Sequence, residues 1–183
     1  YTAIVMPYTD SANMVLLEAA LTDRFGPLVA KDAVAFAAFR GTYAQCAAYG
    51  GARNSRHVSV IGAKLSPTPP EEWAAAYCAQ AERALHNDPA RPLKSLELTG
   101  IMAPAPADRF SLAERNLLLH DGISTFTVGS DGLVALERAI TTYQTNAYDI
   151  EDPSFLDVTT PKTLAYIRFV LRAELARTYP RFK

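Results

Sequence analysis

The sequence predicts an α/β protein, a mixed sheet flanked by helices, with a smaller α+β subdomain at the C-terminal side. Three observations carry that expectation. Short apolar runs alternate with segments of helical apolar period across the first hundred residues, the pattern of strands joined by helices. Ala103-Pro-Ala-Pro106 then removes two backbone donors and holds the chain extended, which sets an expected division into 1–104 and 105–183. Beyond it come a capped helix, a β-hairpin and a terminal helix.

In chain order, Tyr1-Thr-Ala-Ile-Val-Met-Pro-Tyr8 reads as a core strand. Asp10 can cap a helix whose apolar positions Met14, Leu17, Leu21 and Phe25 recur at i+3 and i+4 until Gly26-Pro27. A strand over 34–39, an Ala-rich helix to Tyr49 closed by Gly50-Gly51, and a strand over 57–63 follow. Thr68 is the expected cap of the next helix. Prolines fit its first turn, and Glu71 and Glu72 complement its dipole. Asp88-Pro89-Ala-Arg-Pro92 ends that helix near His86, and 93–102 is apolar enough for a strand. In the second half, Ser111-Leu-Ala-Glu114 is a capping box and Gly122 suits a left-handed helix end. Strands over 123–128 and 133–143 around the Gly129-Ser-Asp-Gly132 turn form the hairpin, and 152–160 is an irregular loop. The last helix begins at Thr160-Pro161, with Leu164, Ile167, Leu171 and Leu175 as its apolar stripe and Pro180 as its stop.

Composition bounds the function. The 183 residues are 49% hydrophobic and 20% charged, enough to bury a core. Eighteen basic against nineteen acidic residues give a net charge of −1, which provides no field for nucleic acid or an anionic membrane. No apolar run approaches the roughly 20 residues of a membrane span. Cys46 and Cys78 each sit in an Ala-rich helical segment and read as buried thiols in a reducing cytoplasm. Because Tyr1 is no initiator and already belongs to a strand, the sequence reads as an excised piece.

Catalytic and cofactor signatures are missing: there is no G-x-S-x-G elbow, Walker A loop, G-x-G-x-x-G fingerprint or paired C-x-x-C. His57, His86 and His120 are scattered and lack the i, i+4 spacing of a zinc site, so surface or capping roles are expected. Two alternatives use Gly50-Gly51-Ala-Arg53-Asn-Ser-Arg56 and His57. In one, glycine amides and the two arginines bind an anion; in the other, the loop serves a small α/β hydrolase or transferase, though without a nucleophile and a placed base, and a thiolate–imidazolium pair of Cys46 with the distant His57 is a separate alternative. The blander expectation is a turn with solvated arginines and a buried cysteine. Glu114-Arg115 and Glu137-Arg138 are adjacent pairs whose side chains diverge, so each residue is expected to pair with another neighbour. Thr141–Asn146 reads as a half-exposed strand in preference to a carbohydrate surface suggested by the nine tyrosines.

Particular strings then point to a family: Pro7-Tyr8, Gly26-Pro27, Gly41-Thr42, Arg53-Asn54-Ser55, Asp88-Pro-Ala-Arg-Pro-Leu93, Glu114-Arg115-Asn116, Asp121-Gly-Ile-Ser-Thr125, Glu137-Arg138-Ala-Ile-Thr-Thr-Tyr-Gln144, Leu156-Asp157-Val158, Thr163-Leu164-Ala-Tyr-Ile-Arg168 and Tyr179-Pro-Arg181. In order and spacing, essentially over the whole chain, they resemble the tail sheath proteins of Mu-like phages and prophages.

The resemblance implies a structural subunit without catalytic residues, metal or cofactor. Such subunits assemble in rings of six stacked helically around an inner tail tube, between a baseplate and a tail terminator. The implied location is the virion tail, with assembly in the host bacterial cytoplasm, and neither nucleic acid nor a membrane is a direct partner. Related bacteriocin and secretion-system sheaths are the nearest alternative. Extended arms that add strands to neighbouring subunits are implied for the family. Both look absent here, so the piece is expected to be a monomer or weak oligomer. Family motifs do not fix tube contacts residue by residue; Arg168, Arg172 and Arg177 on the last helix are the candidates. Ile123, Thr125, Thr127, Arg138, Ile140 and Thr142 are the candidate hairpin edge for neighbours' arms.

Overall fold

A computed structural model describes residues 2–179. Six strands form one mixed sheet: β1 (Ala3–Met6), β2 (Val34–Phe39), β3 (Val58–Gly62), β4 (Leu96–Glu97), β5 (Ile123–Val128) and β6 (Val134–Arg138). Five helices accompany it: α1 (Ser11–Phe25), α2 (Tyr43–Gly51), α3 (Pro70–Asn87), α4 (Leu112–His120) and α5 (Thr159–Thr178). The strand order is β1-β2-β3-β5-β6-β4. The first four run parallel, and β6 and β4 are antiparallel to their neighbours. The expected α/β class with a mixed sheet is what the chain forms. The sheet runs through the expected division near residue 104, because β3 pairs with β5 at Val60–Ile123 and Ile61–Ser124.

β2 shows how the layers arise. Its residues are almost all buried, as expected of a strand covered on both faces. Phe36 and Phe39 have opposite parity and so point to opposite faces. Phe36 meets Tyr77 of α3 edge-on at 5.1 Å, and Phe39 stacks on Tyr49 of α2 at 4.2 Å. Helix α3 therefore covers one face and α2 the other, with Trp73, Tyr77, Phe36 and Met14 among the largest fully buried side chains.

Several helix ends follow the sequence. Asp10 accepts from Asn13 N at 3.0 Å, and Ser111 with Glu114 forms the expected capping box. Gly122 has φ +73°, in the left-handed region open to glycine. Thr68, however, does not cap α3; its Oγ1 accepts from Met102 N at 2.9 Å, and Pro69 occupies the cap position without a side-chain bond. The expected strand over 93–102 shrinks to two residues, since Ser95 (φ +55°) and Gly100 (φ +82°) turn the backbone out of the extended region on either side.

The second hairpin strand also ends early, at Arg138. Thr141 and Thr142, expected on a half-exposed strand, are fully buried. Thr142 crosses back to β3: its N donates to Val58 O at 2.9 Å, and its hydroxyl accepts from Ser55 N and donates to Ser55 O, both at 3.1 Å. Buried hydroxyls need partners, and Ser55 supplies both. Pro180, the expected stop of α5, lies outside the described residues.

Candidate partner-binding surfaces

The Gly50–His57 loop is bound into the fold. Gln144 Nε2 donates to Gly50 O and Arg53 O at 3.0 Å and to Asp121 O at 3.3 Å. Arg53 is buried, pairs with Glu18 at 3.2 Å and lies over the Tyr49 ring at 4.9 Å. Arg56 lies over Phe25 and Phe155 at 4.7 and 5.1 Å. Neither arginine is the solvated surface group that a plain turn would carry. His57, expected at the surface, is buried; burial, then the charges of Arg56 and Arg168, lower its pKa to about 4. Burial raises the Cys46 thiol to about 12, and its Sγ sits 3.8 Å from Gly41 O. A neutral thiol against a carbonyl is a core group, not an activated nucleophile.

The adjacent charge pairs separate as expected. Glu114 reaches Lys64 at 3.4 Å, Arg115 meets Glu137 at 3.0 Å, and Arg138 holds Asp157 through two bonds of 3.0 Å. A hydroxyl cluster that the sequence did not reveal joins β3, α3 and β5. Ser59 Oγ lies 2.7 Å from Tyr77 OH and 3.3 Å from Ser124 Oγ, and both serines donate to Ile140 O. Burial lifts the Tyr77 phenol to about 12. The cluster holds the segment after β6, at Ile140, against the sheet.

The expected hairpin edge is not open. β5 lies between β3 and β6, and β6 between β5 and β4. Ile123, Thr125, Ile140 and Thr142 are buried. Thr127 bonds Ala135 O across the hairpin at 3.5 Å, Ile140 bridges to Asp157, and Arg138 is held by that same aspartate. The sheet's outer strands are β1 and β4 instead. β1 carries four half-exposed to exposed residues, Val5 among them, whereas β4 is too short to offer a long ladder.

Helix α5 supplies the other surface. Its first turn is tied down by buried Lys162, which contacts Glu82 and donates to Thr2 O at 2.5 Å, while Thr163 Oγ1 donates to Pro89 O at 3.0 Å. Arg168 Nη1 bonds Asp32 at 2.9 Å and its Nη2 bonds Phe25 O at 2.9 Å. The apolar stripe of Leu164, Ile167, Leu171 and Leu175 stands in solvent, 37 to 57% exposed. Between α5 and the body runs a groove of about 920 Å³, lined by Phe25, Val34, Leu85, Tyr166 and Phe169 and bordered by Lys31 and Arg172. Of the three basic candidates, Arg168 is engaged with Asp32, and Arg177 pairs with Glu174 at 2.7 Å. Arg172 is exposed, and no carboxylate partners it among the described residues.

Among the described residues, the α/β domain thus combines an outer strand β1 with no further strand beside it and a last helix whose apolar stripe is exposed. Residues 1–142 match the family described as phage tail sheath protein central domain, and the chain belongs to that family. It is 39% identical over 180 residues to the Mu-like prophage FluMu tail sheath protein of Haemophilus influenzae, covering 98% of this chain and 37% of that protein. The fold is shared with solved sheath tail proteins. The one from Desulfitobacterium hafniense has 18% identity and a TM-score of 0.68 over all of this chain and 40% of that one. The one from Listeria innocua has 13% identity and a TM-score of 0.64 over 92% and 36%. A chain of the anti-feeding prophage baseplate has 14% identity and a TM-score of 0.63 over 97% and 46%. The chain thus spans under half the length of each of these proteins.

Proposed function

We propose that this chain is the central folded part of a contractile-tail sheath subunit, which polymerises around an inner tail tube and contracts to drive the tube through the host envelope. Membership of the sheath family over residues 1–142 is the observation that carries the reading. The partners are other sheath subunits, the tube protein, and the baseplate and tail terminator at the two ends. The protein works in the virion tail after assembly in the host cytoplasm. It works without catalysis, on free energy stored in the extended lattice. The 39% identity to a Mu-like prophage sheath favours a phage tail over a bacteriocin or secretion-system device.

Two surfaces carry the contacts in this reading. The edge of β1 receives a strand from a neighbouring subunit, through backbone groups that no strand among the described residues engages. The outer face of α5 meets the tube through Arg172, which no carboxylate partners among the described residues; Arg168 serves the subunit's own structure. Arg172→Glu in the longer sheath protein, produced together with its tube protein, is expected to leave tubes bare or partly sheathed in electron micrographs. Unchanged sheath length and occupancy would remove α5 from the tube contact.

A further inference from the structure

One column of side chains joins segments far apart in sequence. Arg168 of α5 places its guanidinium carbon 4.1 Å from the centroid of the Phe25 ring at the end of α1. The same ring takes Arg56 at 4.7 Å, and Arg56 also lies 5.1 Å from the Phe155 ring. Phe155 meets Tyr143 edge-on at 5.5 Å, and Tyr143 donates its hydroxyl to Asp152 at 2.9 Å. The column therefore runs from α5 through α1 and the loop before β3 to the 143–157 loop, whose tip exposes Tyr148 and Ile150.

Arg56 is the joint of this column. Among the described residues it has no carboxylate partner; its Nε donates to His57 Nε2 at 3.1 Å, and two aromatic rings hold the rest of the group. A half-buried guanidinium held this way depends on both rings. If Phe155 withdraws, Arg56 loses half of its aromatic seat and turns toward solvent, which uncovers Phe25. Phe25 in turn supplies the ring and the carbonyl oxygen that seat Arg168. Arg168 is the tie that the third turn of α5 makes to the body, and every described residue from Leu171 onward is exposed. Loosening that tie frees most of the helix.

We propose that the Arg168–Phe25–Arg56–Phe155 column is a conformational latch that couples the seating of α5 to the 143–157 loop, so that a partner displacing either surface loosens the other. The latch goes beyond the sheath reading and stands on the contacts within one subunit.

Hydrogen–deuterium exchange on the 183-residue chain tests it. Phe155→Leu changes no residue of α5, yet exchange over residues 163–172 should accelerate about three- to tenfold, between the losses expected for an exposed and for a fully desolvated cation–π contact. Exchange over residues 76–85 of α3 serves as the reference for global opening. In the reverse direction, Arg168→Met should accelerate exchange over residues 146–156. Wild-type exchange over 163–172 in Phe155→Leu would overturn the latch. Should the substitution also raise exchange in α3, the double variant decides: after correction for α3, a latch already opened by Arg168→Met gains little from Phe155→Leu. Additive effects in the double variant would refute the coupling.

Discussion

His57 is uncharged in the fold because charging it would place a third cation beside Arg56 and Arg168 in a buried site. Its pKa falls from 6.5 to about 4. The unfolded chain therefore binds this proton more readily than the folded one, so the stability it contributes is present above pH 6.5 and lost as pH falls toward 4. Linkage gives a loss of about 2 kcal/mol between pH 7 and pH 5 from this residue. Urea unfolding at those two pH values should show it, and His57→Gln should flatten the slope in that window. Equal slopes in the two proteins would mean that His57 titrates normally. Nothing local to His57 announces its burial. Phe25, Arg56 and Arg168 surround it only after three separate segments have met, and a lone histidine in sequence reads as a surface group.

At the scale of elements, the close approach of α2 to β5 depends on Gly50. A Cβ there would lie 2.1 Å from Asp121 O and 2.7 Å from Ile123 Cγ1. Backbone oxygen cannot yield as a flexible side chain can. Gly50→Ala is expected to destabilise the chain by about 2–4 kcal/mol as α2 is pushed off the strand, read as a lower urea midpoint; Gly51→Ala, where a Cβ meets nothing within 4 Å, is the matched control. A midpoint equal to that control would show that α2 can shift freely. Helices and caps of this kind were legible in sequence because they are local: Asp10 and Ser111 sit next to the amides they cap. The parallel strands were legible as apolar runs. Orientation was not. The period of α5 identifies an apolar stripe through Leu164, Ile167 and Leu171, but periodicity says which residues share a face and not what covers it. Here that stripe stands in solvent, while Lys162 and Arg168 hold the helix to the body.

For the whole molecule, the sequence divides at the prolines near residue 104, while the sheet does not. β5 and β6 complete the sheet begun by β1, β2 and β3, and the two-residue β4 closes the far side of the hairpin. A strand so short, flanked by Ser95 and Gly100 at positive φ, leaves no alternating pattern to read. That closure is why the hairpin expected to accept a neighbour is internal, and why the bare edge moves to β1 at the opposite side of the sheet. The family itself was legible because many short strings recur in order, a signal that does not depend on knowing which strand borders which.

Cryo-electron microscopy of a sheathed tail built from the longer protein tests the assembly role most directly. The reconstruction should repeat this domain helically around the tube, with a neighbour's strand added along the edge of β1 and the exposed face of α5 turned toward the tube. A tail in which this domain forms no helical lattice around the tube would contradict that role, and a lattice with the β1 edge bare and α5 facing the outer solvent would remove both proposed contacts.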